Sequence, residues 1–162
     1  MKEIKLTGGH VALVDNDDYQ YLSNFKWYAH ISKRGHITAR RNKPRKEGGS
    51  RVVLMHRQIL GVTDRYVFVD HIDHDPLNNQ RSNIRLCTVD QNAKNQKPNR
   101  SGKSSKYKGV HQLPSGRWAA QIGVNGSKEY LGAHDTEELA GKAYDVAANK
   151  FHGEFALTNN LI

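Results

Sequence analysis

Three consecutive segments decide the fold of this 162-residue chain: Val69-Asp70-His71-Ile72, Ser82-Asn83-Ile84-Arg85-Leu86-Cys87 and Thr88-Val89-Asp90-Gln91-Asn92. The apolar run that ends at Asp70 and the alternation that follows Asn83 predict two short strands. Residues 73–79 between them are dense in turn formers. Thr88 and Gln91 fit a capping box, so a helix should begin at Thr88 and carry Asn92 in its first turns. The predicted order is strand, loop, strand, helix.

The polar side chains of these segments suit the hydrolysis of a phosphodiester with one metal ion. Asp70 and Asn92 offer hard oxygen ligands for one Mg²⁺ or Mn²⁺ ion, and the other positions are left for water and phosphate. His71 follows Asp70 but points to the opposite side, so it is available as a general base. Asn83 is better suited to orient other groups than to react. Taken singly, the same residues also fit a turn-rich acidic loop with two asparagines at turns or caps.

Composition indicates a polyanionic partner and small cores. Lys and Arg number 25 against 16 Asp and Glu, which gives a net charge of +9. The apolar fraction of 36% is low for a globular chain. The single cysteine, Cys87, excludes an internal disulfide and a multi-cysteine zinc site. We find no secretory signal and no membrane span, so we expect a cytoplasmic protein of a bacterial or phage-infected cell.

The residues before the metal motif predict a β-rich unit. Residues 4–14 suggest a hairpin around Gly8-Gly9, and a short helix should follow it. Residues 26–31, 36–40 and 51–54 predict a small antiparallel sheet, and Met55 to Leu60 a second short helix. Eight basic residues accompany one acid, Glu47, from Lys33 to Arg51, which suggests phosphate contact.

The C-terminal segment has its own pattern. Residues 94–106 are polar and basic, which marks a linker that is extended or ordered only on DNA. Three strand-like runs follow, and Asn125-Gly126 between two of them predicts a tight hairpin. After Asp135, which we interpret as the cap, helical spacing continues to Gly153. A three-stranded sheet packed on one helix is therefore predicted.

Residues 70–92, together with Met55-His56-Arg57, resemble the HNH endonuclease family, specifically the phage and intron-encoded homing endonucleases with a ββα-metal finger. The resemblance implies that Asp70 and Asn92 bind the metal, that His71 is the general base, and that Asn83 braces the loop. It implies site-specific hydrolysis of DNA to 3′-OH and 5′-phosphate ends.

Three further residues near this motif have alternative interpretations. Arg85 either binds the scissile phosphate or is a solvated strand residue. His56 matches a recurrent family position, and the sequence does not separate a core role from a catalytic one. We interpret Asn95 as a helix-surface amide and leave it outside the ligand set.

Residues 106–160 resemble the DNA-binding domain of plant ethylene-response factors, the APETALA-two type, which also occurs fused to HNH homing endonucleases. The resemblance rests on Tyr107-Lys108-Gly109-Val110, Arg117-Trp118-Ala119-Ala120-Gln121-Ile122 and Tyr130-Leu131-Gly132, with the helix that follows. It implies readout of the major groove by the outer face of the sheet. The implied DNA contacts are Lys108, His111, Arg117, Trp118, Gln121 and Lys128, with a core anchor as the alternative for Trp118.

The predicted protein is thus an α+β chain with two functional parts. An HNH nuclease domain spans residues 1–96, with a β-rich part at 1–54 and the ββα-metal finger at about 66–96. A basic linker at 97–105 leads to the DNA-binding domain at 106–162. We expect double-stranded DNA as the partner and, from the single site, nicking by a monomer unless two chains meet on DNA. The alternatives are a non-catalytic DNA-binding regulator with a vestigial nuclease fold and an enzyme that cuts RNA.

Overall fold

The computed structural model describes residues 1–33, 35–44, 51–97 and 102–162, and its class is α+β as predicted. The chain divides into two compact units, Met1–Val89 and Asp90–Ile162. Arg34, the basic residues at 45 and 46, and linker residues 98–101 lie outside the described part. No helix among the described residues is long and apolar enough to cross a membrane.

The first unit contains three small antiparallel sheets and two short helices. Its elements are β1 (Lys2–Lys5), β2 (Val11–Val14), α1 (Asn16–Leu22), β3 (Tyr28–Ile31), β4 (Ile37–Asn42), β5 (Val52–Leu54), α2 (Met55–Ile59), β6 (Phe68–His71) and β7 (Ile84–Cys87). The pairs β1–β2 and β6–β7 form two-stranded sheets, and β3, β4 and β5 form a third sheet in that order. Helix α3 (Val89–Asn95) begins at the last residue of this unit.

One hydrophobic cluster holds the first unit together. Val14, Leu22, Trp27, Met55 and Ile84 from separate elements are all buried in it. Fully burying an aliphatic side chain contributes about 1.5–3 kcal/mol, so a few such residues stabilise even these short strands. The antiparallel pairing of β1 with β2, from Lys2 opposite Val14 to Lys5 opposite Val11, confirms the predicted hairpin.

The loop between β6 and β7 is fixed to the N-terminal hairpin. Leu13 of β2 donates its N–H to the carbonyl of Leu77 at 2.8 Å and accepts the N–H of Asn79 at 2.8 Å. Further along the loop, the guanidinium of Arg81 contacts the carboxylate of Asp18 in α1 at 2.7 Å. A loop of turn-forming residues therefore has partners more than sixty residues away in the sequence.

The second unit contains the predicted three-stranded sheet with its packed helix, and also all of α3 except its first residue. Its elements are β8 (Val110–Gln112), β9 (Trp118–Val124), β10 (Ser127–His134), α4 (Glu137–His152) and a 3-10 turn (Gly153–Phe155). Strand β9 lies between β8 and β10. Asn125 and Gly126 both adopt positive φ, as the predicted two-residue hairpin turn requires. The cap of α4 is Thr136 rather than Asp135, because the Thr136 side chain accepts the N–H of Leu139.

Asp145 fastens the C-terminal tail to α4. Its side chain is fully buried and accepts the N–H of Asn159 at 2.6 Å, the Asn159 amide at 2.9 Å and the N–H of Leu161 at 3.0 Å. A Cβ at Gly141, one turn earlier in α4, would lie 2.5 Å from the Leu161 side chain. The glycine in this helix therefore lets the tail pack closely.

Candidate active site

Asp70 and His71 occupy the end of β6, and both are buried although both are polar. Their residues are 8% and 9% exposed, and they pair with Arg85 and Ile84 of β7. Side chains of consecutive strand residues point to opposite faces, so the carboxylate and the imidazole do not compete for one position. This is the arrangement that the sequence predicted for a ligand and a separate base.

The carboxylate of Asp70 faces the guanidinium of Arg85 across the two strands. Its Oδ2 accepts from Nη2 of Arg85 at 3.0 Å and from Nε at 3.3 Å. Both side chains are nearly buried, so the guanidinium compensates a carboxylate that would otherwise be costly to bury. Arg85 thus contacts a candidate ligand instead of projecting into solvent.

The imidazole of His71 lies against Asn79. Its Nε2 is 3.3 Å from Oδ1 of Asn79, which is fully buried. The amide nitrogen of Asn79 donates to the carbonyls of Pro76 and Leu77 at 3.4 and 3.1 Å. Because that nitrogen already serves two carbonyls, the amide oxygen faces the imidazole and favours a proton on Nε2 of His71. The basic lone pair is then on Nδ1.

Burial keeps His71 in the form that can accept a proton. Desolvation lowers the pKa of His71 below its ordinary value, while the Asn79 contact and the carboxylates of Asp73, Asp70 and Asp75 act in the opposite direction. A neutral imidazole is the base form, so His71 is ready to take a proton near neutral pH.

His56 packs against His71 from helix α2. The two ring centroids are 5.0 Å apart and the planes are nearly perpendicular. Burial, together with the positive charge of Arg57, Arg40 and a protonated His71, lowers the pKa of His56 to about 3. His56 is therefore a neutral, buried ring that fixes one side of the candidate base.

Asn83 cross-links the loop that precedes it. Its Oδ1 accepts the N–H of Asp73 at 3.0 Å, and its amide nitrogen donates to the Asp73 carboxylate and to the Asn78 carbonyl, both at 2.8 Å. Burial alone would raise the pKa of Asp73, but hydrogen bonds from Asp75, Asn78 and Asn83 hold it below its usual value. The loop is therefore closed around an ionised carboxylate.

Asn92 and Asn95 lie on α3, within the second compact unit. Asn92 is half-buried. Asn95 is buried, which contradicts its interpretation as a surface amide. The sequence could not predict this, because helical spacing alone does not tell which face of a seven-residue helix is covered.

The donor set of Asp70 fits a hard divalent ion. No group of three or more His, Cys, Asp or Glu side chains in the described part of the chain is arranged to hold a metal. Mg²⁺ needs no such group, because it keeps several waters and takes one or two carboxylates together with the phosphate of a substrate. The nearly buried carboxylate of Asp70 meets that requirement.

The residues predicted to contact DNA in the second unit occupy two faces of its sheet. Side chains alternate between the two faces of a strand, and by this alternation the face opposite α4 carries His111, Arg117, Gln121 and Lys128. Trp118 packs with the cluster of Val110, Ala120 and Ala140, which is the core alternative.

Lys108 and Arg117 already have partners. The Lys108 amine donates to the carbonyls of Lys94 and Gln96 at 2.5 and 3.1 Å, and burial lowers its pKa to about 8. Arg117 contacts the Asp135 carboxylate at 3.1 Å and the Ala133 carbonyl at 2.6 Å. Lys108 is therefore less available to DNA than its sequence position suggests.

Sequence reasoning missed Asn79 and left His56 open. Asn79 was one polar residue in a run of turn formers, and its side chain gains a role only when the loop meets β2 and β6. For His56, the signal from local sequence was its position in a short helix, next to the apolar Met55.

Comparison with known proteins gives two kinds of similarity. The HNH endonuclease family matches residues 54–94, which include the Asp70–His71 pair, Asn83 and Asn92. An uncharacterized HNH endonuclease of Acanthamoeba polyphaga mimivirus is 33% identical over 158 residues, which covers 94% of this chain and 76% of that protein.

The second similarity is to plant proteins and is shorter. A putative AP2/ERF and B3 domain-containing protein of Oryza sativa is 52% identical over 56 residues, 35% of this chain and 18% of that protein. An AP2-like ethylene-responsive transcription factor of Arabidopsis thaliana is 54% identical over 61 residues, 10% of its length. This chain therefore spans less than a fifth of either plant protein.

Proposed function

Because this chain belongs to the HNH endonuclease family, we propose that its Asp70–His71 site hydrolyses phosphodiester bonds in double-stranded DNA. The observation that supports this most directly is the buried, neutral His71 held between Asn79 and His56, next to the carboxylate of Asp70. A base and an oxygen ligand on opposite faces of one strand end suit attack by water on a phosphate.

In the proposed reaction, Nδ1 of His71 accepts a proton from the attacking water. The hydroxide attacks the phosphorus, the bond to the 3′ oxygen breaks and that oxygen takes a proton from solvent water, so the products carry 3′-OH and 5′-phosphate ends. Asp70 and, from the family resemblance, Asn92 would hold a divalent ion. A bound Mg²⁺ or Mn²⁺ supplies stabilisation of the developing charge on the phosphate and on the leaving oxygen.

Arg85 has a proposed role that follows from its contact with Asp70. Its guanidinium nitrogen Nη2 lies 3.0 Å from the carboxylate that would hold the ion. A guanidinium next to the ligand carboxylate can also bind a phosphate oxygen of the substrate, which would position the scissile group.

We further propose that the second unit targets the nuclease to DNA. The support is the similarity to AP2-type plant proteins and the polar outer face formed by His111, Gln121 and Lys128. We place Arg117 at the edge of this interface and Trp118 beneath it as a core residue. Lys108 is expected to contribute less to DNA readout than the other residues, because its amine is engaged.

Plasmid cleavage tests the proposal directly. The intact chain should cut plasmid DNA with Mg²⁺ or Mn²⁺ and should leave it uncut with EDTA. His71→Ala should lower the rate about 10²–10⁴-fold, which is the usual contribution of a general base. His36→Ala, at an exposed histidine of the same unit, is the matched control and should cut normally.

The outcome that contradicts the nuclease proposal is equally clear. An intact chain that binds DNA tightly and leaves it uncut with either metal would be the non-catalytic regulator. Mapping both strands of a cleaved fragment would then distinguish the predicted nicking from cleavage of both strands.

A further inference from the structure

A cleft of about 770 Å³ opens in the first unit between strands β4 and β5, helix α2 and the turn that follows α2. Five of its lining side chains are cations: Arg40, Arg41, Lys43, Arg57 and Arg65. Among the residues that the structure describes, no aspartate or glutamate lines it. The described walls of the cleft therefore carry a net positive charge.

The five cations also lack acidic partners elsewhere in the described part of the chain. No carboxylate there lies within 4.0 Å of any of them, whereas Arg81, Arg85 and Arg117 each form an ion pair. Among the described arginines, Arg81, Arg85 and Arg117 are thus balanced by acids, and those of the cleft are not. An anion from outside the chain is the natural counter-charge.

Neutral acceptors order the arginines without cancelling their charge. Nε of Arg41 donates to Oε1 of Gln58 at 2.7 Å, and its guanidinium lies 4.1 Å from the Phe25 ring centroid. The two terminal nitrogens of Arg57 donate to the carbonyls of Val67 and Asp64. Side chains that are ordered before binding lose less conformational entropy when they meet a ligand.

The number of charges indicates the class of anion. A single phosphate or a small nucleotide does not need five cations along one cleft, whereas a nucleic-acid backbone presents a charge at every step. Arginine also binds phosphate through two parallel N–H bonds, which favours it over lysine at such sites.

Helix α2 connects the cleft to the candidate active site. His56 of this helix packs on His71, while Arg57 and Gln58 turn to other faces and line the cleft. A strand that is bound in the cleft would therefore run past the helix that supports the base. We propose that this cleft binds the phosphodiester backbone of the DNA that flanks the cleaved bond, an inference that rests on the proposed nuclease function.

The salt dependence of DNA binding tests this inference. Affinity of the full chain for a fluorescently labelled duplex is measured in EDTA over a series of NaCl concentrations. The double variant Arg40→Gln/Arg65→Gln should lower the magnitude of the slope of log K against log salt by about 1.8, since each lost phosphate contact accounts for about 0.9. Arg40→Lys/Arg65→Lys keeps the charges and should keep most of the slope.

A matched control separates the cleft from overall charge. Lys5→Gln/Lys26→Gln removes the same two charges at exposed positions that do not line the cleft, and its slope should stay near that of the parent chain. Equal slopes for the cleft and control variants would overturn the inference. An unchanged slope in the cleft variant, as expected if an acidic protein binds there, would overturn it as well.

The nuclease proposal is judged by a separate observation. If the parent chain cuts plasmid DNA with Mg²⁺ and the cleft variant keeps the parent slope, only the cleft assignment fails. If the parent chain binds DNA but does not cut it, the nuclease proposal fails regardless of the slopes.

Discussion

Asp73 in the first unit and Asp145 in the second each collect three N–H donors around one carboxylate, but they do so in opposite settings. Asp145 is fully buried, and its carboxylate accepts N–H groups of the C-terminal tail, to which we assign no part in the reaction. Asp73 is exposed and organises a loop that leads to a buried imidazole. A carboxylate with three N–H donors therefore stabilises the fold in one unit and shapes the loop of the candidate active site in the other.

The largest expected effect is on the stability of the second unit. Asp145→Ala would take the acceptor from the half-buried backbone N–H groups of Asn159 and Leu161 and one of two acceptors from the Asn159 amide, so we expect the free energy of unfolding to fall by about 3 kcal/mol. Guanidinium denaturation measures this. Asp145→Asn keeps one acceptor oxygen and should cost less. If Asp145→Ala instead lowers the cleavage rate while the protein stays folded, the assignment of Asp145 to stability alone is wrong.

A smaller effect, on activity, is expected in the first unit. Asn83→Ala removes the cross-link to Asp73 and Asn78, and we expect the cleavage rate to fall about 10–100-fold with DNA affinity unchanged. Single-turnover rates at saturating DNA measure it. Asn78→Ala removes one side-chain bond of the same loop and should have a weaker effect. If Asn83→Ala lowers the free energy of unfolding by as much as it raises the activation free energy of cleavage, Asn83 does not act by organising the loop for the reaction.

The contact between His71 and Asn79 should matter about as much as one hydrogen bond. Asn79→Leu is expected to slow cleavage about tenfold, because the imidazole loses the acceptor that orients it. Asn79→Asp restores an oxygen at this position and should recover part of the rate. Nitrogen NMR of the His71 ring should show the proton on Nε2 in the parent chain. An unchanged ring spectrum and rate in Asn79→Leu would exclude the orienting role.

The smallest effect, over the first pH unit below 6.5, is a loss of stability that depends on His56. In the unfolded chain its imidazole takes a proton near pH 6.5, but in the folded chain it resists protonation down to about pH 3. Stability should therefore fall as pH drops through this window, by at most about 1.4 kcal/mol for each pH unit. The charged groups that face it are His71, Arg57 and Arg40. His56→Phe keeps an aromatic ring and should flatten the profile, whereas parallel profiles would contradict this origin.

Most secondary structure could be predicted from the sequence because its signals are local. The alternation in residues 4–14, the Asn125-Gly126 turn and the helical spacing after Thr136 all produce the expected elements. Helix α3 begins at Val89, next to the predicted start at Thr88. Each of these features depends on residues within a few positions of one another.

The side-chain environment of the site could not be predicted in the same way. The contact of Arg85 with Asp70 depends on the register of β6 and β7, and that of Lys108 with two carbonyls depends on how α3 ends. Asn79 needs Leu13 and His71 as partners, which are distant in sequence. Residue type and spacing predict which groups react, and tertiary contacts decide what surrounds them.

The bridge from Leu13 to Leu77 and Asn79 has a consequence for anyone who would move this site to another scaffold. A transplant of residues 66–96 alone would carry the proposed base His71, but the segment around Asn79 would lose the strand that binds its backbone. The smallest portable catalyst must therefore include the N-terminal hairpin, although the hairpin contributes no reacting atom. By the same logic, recombination between related genes should inherit β2 and the 70–83 loop together or lose the activity.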